Sequence, residues 1–292
     1  MIPYYDMNEI HKPLKDEFMS EVKELLDTNN FVFGTDKFEE DFAEYTGAKY
    51  CVGVNSGTSA LLLAQFACDV RPGDRVKTVS HTFTATVTSI RHLGATHEFV
   101  DIDEKTYCMN PDLLDVSDYS TKVILPVHMY GNACDMPGII SKKSINTTVI
   151  EDCSQAHGAK YNDKSVGTLG DINAWSFCQD KIITTGGEGG MVTTNCQHLF
   201  KKAWSLKDHG KDYDNVFHKK HPKGFRWLHK NIGTNWRMMP IQATIGIHAL
   251  DELDDWINHR RAIATIYNDT LKDINGVRVT LPPNHIYHSY YK

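Results

Sequence analysis

A single lysine, Lys181, stands between a short apolar run and a glycine cluster in SFCQDKIITTGGEGG (176–190). Lysine can form a Schiff base with a carbonyl once desolvation or a neighbouring positive charge lowers its pKa. This lysine does not fit a Walker-type phosphate loop, where lysine follows the glycines, and GGEGG is not the dinucleotide spacing GxGxxG. In NSGTSALLL (55–63), Ser-Gly-Thr opens a helical run and would present backbone N–H groups, with the Ser56 or Thr58 hydroxyl, to an anion. In VIEDCSQAHG (149–158), Asp152 ends an apolar strand. A buried carboxylate needs a cationic partner, and a protonated pyridine nitrogen would serve while making its ring an electron sink. In IGTNWRMMPIQATIG (232–246), Asn235 and Arg237 precede a helix. Taken singly, each stretch also has a plain structural explanation: a helix cap, a strand-end aspartate bonded to the next turn, a surface lysine, surface charge.

The elements that must position these residues follow from periodicity. Leu14, Phe18, Val22, Leu25 and Leu26 predict a helix over 13–27, and 37–46 reads as a second. Apolar strands are expected at 50–54, 75–80, 97–102, 123–128, 148–153, 174–178 and 190–194, with helices at 59–68 and near 83–92. Such alternation implies an α/β fold with a mostly parallel sheet covered on both faces. The chemistry-bearing residues fall just after strands, at the edge where open α/β sheets bind ligands. Residues 207–230 read as a loop rich in Lys, Arg and His, Pro240 as the start of one long helix ended by Gly276, and the tail from 276 as the first strand or two of a further sheet. Because strands need partners, that tail suggests a fragment of a longer protein. The expected division is a large domain over 1–240 and, over 241–292, a linking helix with the start of a small, incomplete C-terminal domain.

The 292 residues carry a formal net charge of -6 and are 41% hydrophobic. An acidic balance argues against broad nucleic-acid binding. No stretch has the roughly 20 apolar residues of a membrane span, and the N-terminal stretch reads as no targeting peptide. Seven scattered cysteines without a CxxC pair predict neither a zinc site nor a disulfide framework, and fit a reducing cytoplasm.

In order along the chain, IPYYDMNEI, FVFGTDKFEEDFAEYTGAKYCVGVNSGTSAL, HTFTAT, GATHEFVDID, IEDCSQAHGA, SFCQDKIITTGGEGG and NWRMMPIQATIG resemble the DegT/DnrJ/EryC1/StrS family of pyridoxal-phosphate (PLP) sugar aminotransferases, of aspartate-aminotransferase fold type I. The resemblance covers essentially the whole chain. It implies that Lys181 carries PLP covalently and shuttles a proton, that Asp152 pairs with the pyridinium nitrogen, and that Gln155 sits near the ring hydroxyl. It further implies that Phe83 stacks on the ring and that Gly57, Thr58 and Ser176 hold the phosphate. Asn235 would reach the phosphate of a neighbouring subunit, so the active unit is expected to be a homodimer with shared sites. The activity implied is transfer of an amino group, from L-glutamate, to a keto group of a nucleotide-linked deoxysugar for polysaccharide or glycan synthesis.

Two departures from the family pattern stand out. The run after Lys181 has one glycine more than the usual TTGEGG, and the 207–230 segment is longer than in typical members. Its Lys207, Lys211, Lys219, Lys220, Lys223, Arg226 and Lys230 could meet a substrate diphosphate or form a solvated loop. A sugar dehydratase of the same family (which resembles this chain but has histidine where Lys181 stands), a lyase on the same fold and a non-catalytic regulatory protein remain the alternatives.

Overall fold

The computed structural model describes residues 12, 15–117, 120–222 and 227–292. The two N-terminal helices are α1 (Lys15–Thr28) and α2 (Asp36–Thr46). Phe38 and Phe42, one turn apart on α2, are fully buried against Trp175 and Phe177. Gly47 ends α2 in the left-handed conformation that glycine adopts without a Cβ penalty (φ 77°).

Then follow β1 (Tyr50–Val54), α3 (Gly57–Ala67), β2 (Arg75–Thr78), α4 (Thr84–His92), β3 (Thr96–Phe99), β4 (Thr121–Leu125), α5 (Met136–Lys142) and β5 (Thr148–Asp152). A short hairpin, β6 (Lys160–Tyr161) and β7 (Lys164–Ser165), turns through Asn162 and Asp163, both at positive φ. Beyond it lie β8 (Ile172–Ser176), β9 (Gly190–Thr194), α6 (Gln197–Lys207), α7 (Tyr213–His218), α8 (Pro240–Asp251), α9 (Leu253–Leu271) and β10 (Ile286–Tyr287).

Seven strands form one sheet in the order β1-β9-β8-β5-β4-β2-β3. All pairs are parallel except those of β9, which runs antiparallel to both β1 and β8. Every residue of β8 and β9 is buried, as in strands covered on both faces. One core cluster joins Phe38, Trp175, Phe177, Ala243 and Leu253; another joins Val52, Leu63, Ile90, Val123 and Ile172. The α/β architecture expected from the sequence is thus present.

As expected, the tail contributes a strand to a further sheet: Ile286–Tyr287 pairs antiparallel with β6 in a three-stranded sheet of order β10-β6-β7. Two expectations are corrected. The helix from Pro240 is two helices, broken at Glu252, and the second ends at Leu271 rather than at Gly276. The 207–230 segment is not all loop, because Lys207 closes α6 and α7 lies within it, capped by Asp212 accepting from the Asn215 N–H.

Candidate active site

The chain leaves β1 at Asn55 and turns into α3. Ser56 is extended, and its Oγ accepts from the Ser59 N–H at 3.1 Å. That cap leaves the N–H groups of Gly57 and Thr58 at the positive end of the helix dipole. Gly57 packs on the end of β8 so closely that a Cβ there would lie 2.5 Å from Ser176 Cβ and 2.8 Å from its Oγ. Only glycine brings the hydroxyl of Ser176 to this helix terminus.

Asp152, at the end of β5, is 3% exposed. Its Oδ2 accepts from Thr86 Oγ1 at 2.8 Å and its Oδ1 from the Ser154 N–H at 3.1 Å. Thr82 Oγ1 lies 2.8 Å from the Thr86 hydroxyl. Among the described residues no cation pairs with Asp152. Gln155 Oε1 accepts from the Tyr130 N–H at 3.0 Å, so its amide –NH2 is the end left to donate. Tyr130 sits at φ 58°, a left-handed backbone that a bulky residue adopts only when its surroundings impose it.

Lys181 lies on the loop between β8 and β9. Phe177 N–H donates to Gly189 O at 2.8 Å and Gln179 N–H to Gly187 O at 2.9 Å, which folds the loop back on itself. Gly186 and Gly187 both take positive φ (88° and 149°), and Gly186 abuts Ile245. The extra glycine therefore falls where the backbone needs glycine twice in succession. The Lys181 side chain is 11% exposed. Its Nζ is 3.9 Å from Asp180 Oδ1 and 5.0 Å from the centre of the Tyr291 ring. Burial pushes the Asp180 carboxyl up, but the Tyr291 hydroxyl bonded to it and the Lys181 charge outweigh this and hold it below the usual range. Nearby His157 is fully buried, and neither ring nitrogen has a hydrogen-bonding partner among the described residues. Burial first, and the Lys181 charge second, push it down to about 3, so it is a neutral ring.

These groups line one cavity of about 590 Å³. It gathers Gly57, Thr58, Phe83, Asp152, Gln155, Ser176 and Lys181. Phe83 is 67% exposed there. Asn235 does not line it; that residue is exposed and bridges to Asp208. Sequence reasoning missed Thr86, Tyr130, Asp180 and Tyr291. Thr86 could have been found one helical turn after Phe83, whereas nothing local marks Tyr291, which arrives from the far end of the chain. A helix terminus beside Ser176, a buried carboxylate without a cation and a lysine in the same cavity suit the phosphate, ring nitrogen and aldehyde of PLP.

Two other clusters resolve differently. His128, Glu151 and Cys153 have metal-ligand atoms within 4.8 Å of one another. The lone pairs of His128 and Glu151 are nevertheless in use. Glu151 accepts from the N–H groups of Gly167, Leu169 and Gly170 and from His128 Nε2 (2.6–3.0 Å), while His128 Nδ1 accepts from the Cys134 N–H. This is a structural brace under β5. In the basic segment, Lys207 is buried and bonds Glu39 Oε1 at 3.2 Å, Lys211 pairs with Asp208 at 2.7 Å and Lys230 with Asp212 at 2.9 Å. Lys219 and Lys220 are exposed, and Lys223 and Arg226 lie outside the described residues.

Among the described residues, no helix is long and apolar enough to cross a membrane. GDP-perosamine synthase of Escherichia coli O157:H7 is 41% identical over 87% of this chain and 67% of its own length. The dTDP-3-amino-3,6-dideoxy-alpha-D-galactopyranose transaminase of Aneurinibacillus thermoaerophilus is 38% identical over 99% of this chain and 78% of its own. Among solved structures, an aminotransferase from Psychrobacter cryohalolentis superposes with a TM-score of 0.89 at 41% identity, over 94% of this chain and 73% of that one. The sequence profile of the DegT/DnrJ/EryC1/StrS aminotransferase family matches residues 12–292, and the chain belongs to that family.

Proposed function

We propose that this chain is a PLP-dependent aminotransferase that moves an amino group from an amino-acid donor, L-glutamate, to a keto group of a nucleotide-linked sugar. The observation that carries the reading is the convergence of Lys181, Asp152 and the Gly57–Ser176 helix terminus on one cavity. When bound, PLP supplies an electron sink. The N–H groups of Gly57 and Thr58 and the Ser176 hydroxyl would hold its phosphate. Asp152, which accepts from Thr86 and Ser154, would hold a proton on the ring nitrogen. Gln155 would donate to the ring hydroxyl, and Phe83 would lie against the ring. The Lys181 amine would be the covalent anchor and, when released, the proton carrier. The relatives' names, which specify GDP- and dTDP-linked amino sugars, support a nucleotide-sugar acceptor. Lys219 and Lys220 are the described cations of the basic segment left to meet its diphosphate.

The active unit is a homodimer, with Asn235 reaching the partner's site. Its exposure outside its own cavity supports this, as do the exposed apolar side chains Phe31, Val32, Phe33 and Ile232. The described cysteines are all free thiols, which suits the cytoplasm.

The test is the absorbance of the protein with PLP before and after L-glutamate, beside Lys181→Ala. A band at ~420 nm that needs Lys181 and bleaches with glutamate supports the reading. Recovery of the band with one keto-sugar nucleotide then identifies the acceptor. A band that persists unchanged with every donor and acceptor favours a binding role instead.

A further inference from the structure

The end of the chain reaches back into the cavity. The N–H groups of Ser289 and Tyr291 donate to the carbonyls of Gly131 and Tyr130, each at 2.9 Å. Arg260 holds the Tyr291 carbonyl at 3.3 Å, and Arg261 holds that of His288 at 2.7 Å. These bonds fix the Tyr291 side chain, which is 7% exposed. Its hydroxyl donates to Asp180 Oδ2 at 2.5 Å, its ring centre is 5.0 Å from Lys181 Nζ, and the other Asp180 oxygen is 3.9 Å from the same nitrogen. A half-exposed carboxylate would otherwise rotate into water, where its charge is screened. Anchoring one oxygen keeps the other beside the amine, and an aromatic face attracts the cation as well.

We propose that Tyr291 and Asp180 are positioning residues for Lys181: the phenol anchors the carboxylate, and the carboxylate and ring together hold the amine in the cavity. This rests on the reading of Lys181 as the covalent anchor of PLP. The other charged or titratable groups around the trio are Asp152, His157, Cys178, Glu188, Arg260 and Lys292. Burial keeps His157 neutral and pushes the Cys178 thiol up, so neither supplies a charge change near neutral pH.

The experiment measures the rate at which the full chain, freed of cofactor, develops the ~420 nm band on addition of PLP at one fixed pH of about 8. An amine no longer held in place reacts more slowly, so Asp180→Asn lowers the rate by about 10-fold. Asp180→Glu, which keeps the charge, restores most of the rate. Tyr291→Phe lowers it less, and adds no further loss in the Asp180→Asn background, because the phenol acts through the carboxylate. Band amplitude reports the folded fraction, and Asp180→Ser replaces Asp180→Asn if the latter does not fold. An unchanged rate in the charge-removing variants, or an equal Tyr291→Phe loss in both backgrounds, overturns the inference while a Lys181-dependent band leaves the functional reading standing. A wild-type chain that forms no band overturns both.

Discussion

Glu151 and Asp152 are neighbours at the end of β5, equally buried, and alternation sends them to opposite faces of the sheet. On one face, Glu151 takes three backbone N–H groups and the ring of His128, which is itself bonded to Cys134. On the other, Asp152 takes one hydroxyl and one N–H. The difference teaches that burial alone does not distinguish a brace from a working group. What does so is the number of donors the fold leaves undelivered. A saturated carboxylate has no capacity for a ligand, while one with open lone pairs and no cation is prepared for a charge brought from outside.

The largest expected effect separates the two carboxylates by function. Asp152→Asn lowers the rate of amino transfer by about 10³-fold, the range of a lost catalytic proton partner, with little change in Tm. A variant retaining wild-type turnover would break the comparison. Glu151→Gln does the reverse: the amide cannot accept all four bonds, and stability in denaturant falls by about 3 kcal/mol while the folded fraction keeps its turnover. Next comes acid stability. The unfolded chain protonates the His157 ring below about 6.5 whereas the folded chain does so only at about 3, so folding stability falls as pH drops through that window. His157→Phe removes one such proton, flattening the acid limb by about 1.4 kcal/mol per pH unit. An unchanged limb in urea melts from pH 6 to about 4 would place the protonating ring elsewhere, His288 being the other histidine that burial holds down, to about 4. The smallest change sharpens the role of Thr86. Thr86→Val deletes the hydroxyl at Asp152 and costs about 1 kcal/mol, read as a several-fold weaker PLP affinity with the band position unchanged.

The parallel core and the ligand edge were legible because short apolar runs, the helical stretches between them and the turns after them are local signals. So were Lys181, Asp152 and the Ser-Gly-Thr helix start, each at or within a few residues of a strand's end, whereas Gln155 came only through the family resemblance. What local pattern could not show was pairing across the chain. The break at Glu252 carries no glycine or proline to announce it. Lys207 reads as one of a run of loop cations, and only the fold reveals that it is buried against Glu39, far earlier in the chain. Tyr291 and Asp180 likewise meet only because the tail pairs with β6 and runs on beside Tyr130.

The position of β1 has a bearing on how the molecule is made. Among the described residues its only strand neighbour is β9, with Tyr50 opposite Thr194. A chain emerging from the ribosome must therefore hold Tyr50–Val54, and the helix start that follows, without a sheet partner until β9 has been synthesised. Such long-range closure slows folding and exposes apolar strand to aggregation in the interval. The Gly57–Ser176 contact waits on the same event, so the helix terminus beside Ser176 is among the last parts to form. Cofactor present during synthesis could capture the closed form as it appears, and expression with and without added vitamin B6 would show whether yield follows that capture.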